Sequence, residues 1–249
     1  MTLMEYLRCP NIRRPVIGGH RGHTSPVREN TIPNFRRLDP AQIPYIEIDL
    51  QLTRDGQLVL FHDLELSRTT PLSGTVRQYT LSQLREAFEI NTPAEVLDWA
   101  AVSGMGIAFE LKLHPVYTPE ERSRVARELV REIQCHSCHE NCFVFGKDYQ
   151  TLRQIRQLDP AIHIGIIAPK NPEDAFPLME ELGAFLYLDW ITGFTKELVD
   201  KLHRAGYLAD GSVVDTAEGL RLARELGLDM IESNIPEALR NTGKEGENQ

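Results

Sequence analysis

Eight short apolar runs alternate with amphipathic stretches along 249 residues, and this alternation predicts an α/β fold, a single-domain (β/α)8 TIM barrel. Two further observations favour closure of the sheet. The length matches one barrel, which typically takes about 250 residues. The first strand also lacks the Gly-rich phosphate loop that would support the alternative, an open doubly wound sheet. With 41% hydrophobic and 25% charged residues, the chain carries enough apolar material for a full core.

The strands are expected at 16–20, 45–50, 107–111, 142–145, 163–167, 184–188, 207–212 and 230–233. Helical spacing of apolar residues by three and four covers 82–88 with 95–102, 119–134, 149–157, 172–182, 196–203 and 216–226. Thr118-Pro119 and Asn171-Pro172 read as an N-cap followed by an N1 proline, and Gly183, Gly206 and Gly227 fall where C-caps belong. Leu58 to Phe61 follow Leu50 to Arg54 across Asp55-Gly56, a hairpin dipeptide that leaves no room for a helix. This segment is therefore expected to fold back over the second strand, outside the barrel. The core should run from about 14 to 240, with 241–249 (NTGKEGENQ) disordered.

A net charge of −9 argues against a nucleic-acid partner, because that binding rests on clustered Lys and Arg. No segment approaches the ~18–20 continuous apolar residues of a membrane span. The first sixteen residues have neither an apolar h-region nor a small-residue cleavage site. A cytoplasmic location with reduced cysteines is the expectation.

The first strand ends in Gly19-His20-Arg21-Gly22, which places His20 and Arg21 at the C-terminal mouth, where barrels carry their chemistry. The second strand reads Y-I-E-I-D-L. Glu47 and Asp49 are two apart and share a face, while Ile46, Ile48 and Leu50 take the other. In F-E-L-K, Glu110 and Lys112 repeat the arrangement, and the hairpin returns with Phe61-His62-Asp63. A single carboxylate at a strand end is ordinarily solvated or a helix cap, and a single histidine is ordinarily packed and hydrogen-bonded. Two carboxylates on the inward face of one strand are different, since they repel and lose solvation unless a cation neutralises them. Three carboxylates suit a hard cation such as Mg²⁺ or Ca²⁺, and two histidines suit an acid/base pair near neutral pH.

H-R-G at 20–22, E-N-T at 29–31, E-I-D at 47–49, T-R-D-G at 53–56, F-H-D at 61–63, R-T-T at 68–70 and E-L-K at 110–112 together resemble the glycerophosphodiester phosphodiesterases, from about Val16 to Pro236. The resemblance implies a phosphoric diester hydrolase that converts a small phosphodiester to an alcohol and a phosphomonoester, with one divalent cation, Mg²⁺ or Ca²⁺. It implies Glu47, Asp49 and Glu110 as metal ligands and His20 and His62 as the acid/base pair. Arg21 and Lys112 become phosphate contacts. Glu29 joins the substrate side, supporting His20 or the ligands, and Asn30 either joins it or simply caps the first helix. Family members commonly use an alcohol of the glycerol as first nucleophile and pass through a cyclic phosphate. Two rival readings remain: action on lysophospholipid head groups, for which loops 64–79 and 112–118 offer no apolar platform, and a phosphate-binding barrel without catalysis, which would have little use for two histidines.

The sequence departs from the family pattern in several places. Arg28 replaces the usual proline before E-N-T and His23 follows H-R-G; both either line the pocket, toward a hydroxyl-rich or anionic leaving group, or lie on the surface. Ser212-Val213-Val214-Asp215 stands where relatives carry W-T-V-N, and Glu232-Ser233-Asn234 where T-D is usual. Gly146-Lys147 replaces S-F. The far wall has changed while the ligands and histidines have not, so the reaction should be kept and the alcohol altered, with a sugar phosphodiester as one option. Cys135, Cys138, His139 and Cys142 formally offer zinc ligands, but the run crosses from a helix end into a strand, and small core residues are the favoured reading.

Overall fold

The structure is a computed structural model that describes residues 1–24 and 26–245. Its barrel strands are β1 (Val16–His20), β2 (Tyr45–Leu52), β4 (Gly106–Leu111), β5 (Cys142–Gly146), β6 (Gly165–Ile167), β7 (Leu186–Trp190), β8 (Leu208–Ser212) and β9 (Met230–Ser233). Their order is β5-β4-β2-β1-β9-β8-β7-β6. A parallel bridge from Val144 to Ile164 joins β5 to β6 and closes the ring, which rules out the open sheet. β3 (Leu58–Leu60) pairs antiparallel with β2, and so forms the expected hairpin outside the barrel.

The helices follow from local chemistry. Thr92 and Thr118 each accept a hydrogen bond from the N3 amide, and Glu95 or Glu121 bonds back, which starts α4 (Pro93–Ser103) and α5 (Pro119–Cys135). Asn171-Pro172 opens a 3-10 turn that leads into α7 (Ala175–Leu182), and Gly183 and Gly227 cap α7 and α9 (Ala217–Leu226) at positive φ. The remaining helices are α2 (Ile32–Phe35), α3 (Leu81–Ala87), α6 (Tyr149–Leu158) and α8 (Lys196–Arg204), besides one at each terminus. Among the described residues, no helix is long and apolar enough to cross a membrane.

Two termini differ from expectation. α1 (Leu3–Arg8) lies before the expected start of the core, yet Leu3, Met4 and Leu7 are buried with Val16, Tyr45, Ala108, Phe143, Leu186 and Met230. These partners are inward-facing strand residues, so α1 closes the floor of the barrel. At the other end, α10 spans Pro236–Glu245 and so reaches into the expected tail; its Leu239 is buried and its Arg240 hydrogen-bonds the carbonyl of Gln42. A polar sequence can be helical when its preceding turn is anchored. Residues 246–249 of the expected tail lie outside the described residues.

Strand parity sorts β2 as expected. Ile46, Ile48 and Leu50 pack toward the helices, whereas Tyr45 belongs to the interior cluster and Glu47 and Asp49 continue its row toward the mouth. Opposite Tyr45, β1 carries Gly18, where a Cβ would come within 2.2 Å of the Tyr45 ring. The Tyr45 side chain occupies this space. Gly18→Ala should therefore lower stability by about 1–3 kcal/mol, the usual cost of overpacking a tight core. Thermal melting followed by circular dichroism checks it; an unchanged midpoint would show that the ring has room to move.

Candidate active site

His20 ends β1 beside Glu47 of β2, and Asp49 lies in register with Glu110 of β4. One carboxylate oxygen from each of Glu47, Asp49 and Glu110 lies within 4.8 Å of the other two. Glu47 and Asp49 are fully buried. Burial, together with repulsion from Asp49 and Glu110, pushes the Glu47 carboxyl well above its ordinary range. Burial also acts on Asp49, but Lys112 and Arg21 outweigh it and hold that carboxyl low. Burial, with Asp49 adding to it, raises Glu110.

Two cations answer three carboxylates. Lys112 Nζ lies 2.6 Å from Glu110 Oε2 and 3.3 Å from Asp49 Oδ1. Arg21 Nε lies 3.4 Å from Asp49 Oδ2, and its Nη1 is 3.3 Å from Glu29 Oε1. Arg21 has φ 58°, a left-handed backbone rare outside glycine. In that conformation its amide donates to both the carbonyl and Oε2 of Glu47, each at 3.0 Å. Gly22 follows at φ 98°, and a Cβ there would come within 2.2 Å of Asn34 Oδ1, the acceptor that holds the His23 amide. Glu47 Oε1 and Asp49 Oδ1 are buried and accept no hydrogen bond. A third positive charge, with oxygen ligands, fits this set.

The two histidines are held differently. His20 Nδ1 lies 2.8 Å from Asn234 Oδ1. Burial and the neighbouring Arg21 lower its pKa to about 4, so the ring is neutral at pH 7. His62 Nδ1 lies 2.6 Å from Asp63 Oδ1. Burial lowers this pKa too, against the opposing charges of Asp49 and Asp63. Arg68 joins Asp63 to Glu29, so an ionic chain runs from the His62 turn back to Arg21. Glu29 thus supports Arg21 rather than His20.

Several supporting roles are not visible in the sequence. Asn30 does not cap α2; Thr31 takes the N-cap position. Instead Asn30 clamps Asp49, donating from Nδ2 to Oδ2 at 2.7 Å and accepting from the Asp49 amide at 3.1 Å. Gln51, the next inward position on β2, sets Nε2 3.0, 3.0 and 2.7 Å from the carbonyls of Phe61, His62 and Asp63 and thereby fixes the hairpin's return. Asp215 does not cap α9, since Thr216 does; it bonds Ser233 and Asn234. Trp190, paired in register with Ser212, continues the inward row of Leu186 and Leu188 to the mouth and is 63% exposed.

Two cavities open beside the carboxylates. One, of about 210 Å³, is lined by His20, His23, Thr24, Arg28, Glu29 and Asn234 among others. His23 and Arg28 are thus half-buried pocket residues, with the Arg28 guanidinium 5.0 Å from the Phe88 ring centroid. The other, of about 430 Å³, is lined by Glu110, Lys112, His114 and Lys147 among others. The cysteine run forms no comparable centre. Cys138 and Cys142 sulfurs lie 3.8 Å apart, Cys135 is exposed and His139 pairs with Asp159. Among the described residues, Glu47, Asp49 and Glu110 are the one group of three or more such side chains placed to share an ion.

A closed (β/α)8 barrel with three converging carboxylates at its strand ends defines a barrel whose mouth has the donor set for a cation. Residues 20–237 match the Glycerophosphoryl diester phosphodiesterase family, and the chain belongs to that family; it is a phosphoric diester hydrolase. It is 26% identical over 245 residues to a glycerophosphodiester phosphodiesterase of Caldanaerobacter subterraneus, covering 94% of this chain and 99% of that one. A Bacillus altitudinis glycerophosphodiester phosphodiesterase is also 26% identical, over 89% of this chain and 95% of its own. The fold matches an Oleispira antarctica phosphodiesterase solved in complex with the product sn-glycerol-3-phosphate, at TM-score 0.81 and 23% identity over 92% of this chain and 97% of that one.

Lys112 has a measurable consequence for stability. Lys112→Met should destabilise the protein by about 3 kcal/mol, because it strips Glu110 of its paired cation and leaves Arg21 as the one cation beside the buried Asp49. Saturating divalent cation should then raise the melting temperature of the variant more than that of the wild type. Equal rises would show that Lys112 and the cation do not share the task of neutralisation.

Proposed function

We propose that this chain hydrolyses a glycerophosphodiester or a sugar phosphodiester to an alcohol and a phosphomonoester, acting as a single catalytic barrel domain. Glu47, Asp49 and Glu110 would hold one divalent cation, Mg²⁺ or Ca²⁺, and His20 and His62 exchange the protons. The observation that carries this reading is the convergence of three under-compensated carboxylates, two of them fully buried, with two differently supported histidines inside the family-matched residues. When bound, the cation supplies positive charge to the phosphoryl oxygens.

The chain's own residues account for the rest. Arg21 and Lys112 hold the phosphoryl group by charge-assisted hydrogen bonds. His20, neutral and backed by an amide oxygen, keeps a lone pair at Nε2 and takes the proton of the attacking hydroxyl. His62, whose Nδ1 lies 2.6 Å from the Asp63 carboxylate, has the partner that steadies a positive ring against its burial, and once protonated it gives its Nε2 proton to the departing alkoxide. If the attacking hydroxyl belongs to the substrate, a cyclic phosphate results. Water then opens it with the two histidines in exchanged roles, which restores both protons. The cavity beside His20 takes the alcohol, with His23 and Arg28 on its wall.

A panel of glycero- and sugar-phosphodiesters assayed with Mg²⁺ and Ca²⁺ tests the reaction. His20→Ala and His62→Ala should each lower kcat by about 10²–10⁴-fold, the usual worth of a positioned acid or base, with melting temperature retained. Unchanged turnover in either variant removes that histidine from the mechanism. Arg28→Met keeps an unbranched stem against Phe88 but loses the charge. It should raise KM several-fold for polyhydroxyl or anionic alcohols and leave KM for a simple aryl phosphodiester unchanged; equal effects on both would place Arg28 outside the alcohol pocket.

A further inference from the structure

Asp215 lies just beyond β8 and is bonded to a side chain that touches His20. Its Oδ1 accepts from Ser233 Oγ at 2.9 Å and from the Asn234 amide at 2.8 Å. Its Oδ2 accepts from Asn234 Nδ2 at 2.7 Å. Asn234 then offers Oδ1 to His20 Nδ1 at 2.8 Å. Ser233 Oγ is occupied on its other side by the amide of Ile235, at 3.1 Å. The chain Asp215–Asn234–His20 thus crosses the ends of three adjacent strands, β8, β9 and β1.

The chemistry of a carboxylate makes this chain directional. An ionised carboxylate only accepts, so it admits only the NH2 end of the Asn234 side chain. A flipped amide would set two oxygens 2.7 Å apart without a proton between them. With NH2 committed to Asp215, the amide oxygen must face the imidazole. That oxygen only accepts, so the neutral His20 ring must carry its proton on Nδ1, and its lone pair is left on Nε2. An amide without a fixed partner could turn either end to the ring and would select no tautomer.

We infer that Asp215 is a positioning residue for catalysis: acting through Asn234, it selects the Nδ1–H tautomer of His20 and so keeps Nε2 open as the proton acceptor. This deepens the acid/base reading given above and rests on it. The group behind a base histidine commonly sets its tautomer, and turnover falls when that selection is lost even though the fold is kept. Here the carboxylate stands one residue behind the group that touches the ring.

Asp215→Asn is isosteric and reverses the selection: its amide oxygen stays on the Asn234 backbone N–H, so its NH2 faces the Asn234 side chain, which must turn its oxygen toward it and its own NH2 toward His20. In ¹⁵N-histidine-labelled protein, with the ring signals identified by their loss in His20→Ala, the wild type should show His20 protonated at Nδ1 alone. In Asp215→Asn the ring should shift toward the Nε2–H tautomer, and kcat should fall about 10- to 100-fold with KM within about two-fold. The double exchange Asp215→Asn with Asn234→Asp sets an acceptor-only carboxylate directly behind Nδ1. It should restore the single tautomer and bring kcat to within a few-fold of wild type. A folded Asp215→Asn variant with a pure Nδ1–H ring and undiminished kcat overturns the inference, as does a double variant in which neither tautomer nor turnover recovers. The tautomer is read without turnover, so failure of the acid/base reading itself, seen as full activity in His20→Ala, is a separate result.

Discussion

Three carboxylates packed into the dry mouth of a parallel barrel repel one another, and much of the polar structure around β1, β2 and β4 answers that repulsion. Glu47 and Asp49 have no exposed surface, so water cannot screen them. Lys112 and Arg21 approach to within ion-pair distance, and Asn30 holds Asp49 by both its amide hydrogen and its carboxylate. The left-handed backbone of Arg21 belongs to the same response, because it aims a peptide N–H at the Glu47 carboxylate. A site so arranged keeps its carboxylates converged against a large electrostatic cost, which one further cation would relieve.

The same constraint explains why the two histidines differ. His62 arrives on a hairpin, outside the rigid barrel, and is held by Gln51 and by an ionic chain through Asp63, Arg68 and Glu29. His20 sits at the end of a barrel strand, in register with Glu47 of β2 and one residue beyond the last β1–β9 pair. Only its ring needs control, and that control comes from β9 through Asn234. One histidine faces a carboxylate and the other a neutral amide, a difference that suits opposite proton tasks at one pH.

Features carried by local periodicity were legible in the sequence. The parity of Glu47 and Asp49 follows from the pleat alone, Asp55-Gly56 announces its hairpin, and capping chemistry marks the start of α5. Contacts between residues brought together only by the crossovers were not. Asp215 and Asn234 read as two separate departures from a family pattern, because nothing in one dimension says that they touch. Asn30 carries the signature of a cap, and the competing use, a clamp on a carboxylate from the neighbouring strand, depends on the barrel's closure. The helix at 3–8 is one short amphipathic turn and a half, too brief for periodicity to separate from coil, and α10 continues a polar segment whose anchor lies at Gln42.

That first helix has a consequence for how the molecule assembles. Its hydrophobic seat is composed of Tyr45, Ala108, Phe143, Leu186 and Met230, side chains drawn from strands spread along nearly the whole chain. The helix therefore precedes in the chain every surface it rests on, and the seat is incomplete until β9 has joined β1. Contacts of such long sequence separation form late, because each requires its loop to be closed first. The floor of the barrel is thus a clasp that can fasten only after the strands that carry the catalytic mouth have taken their order.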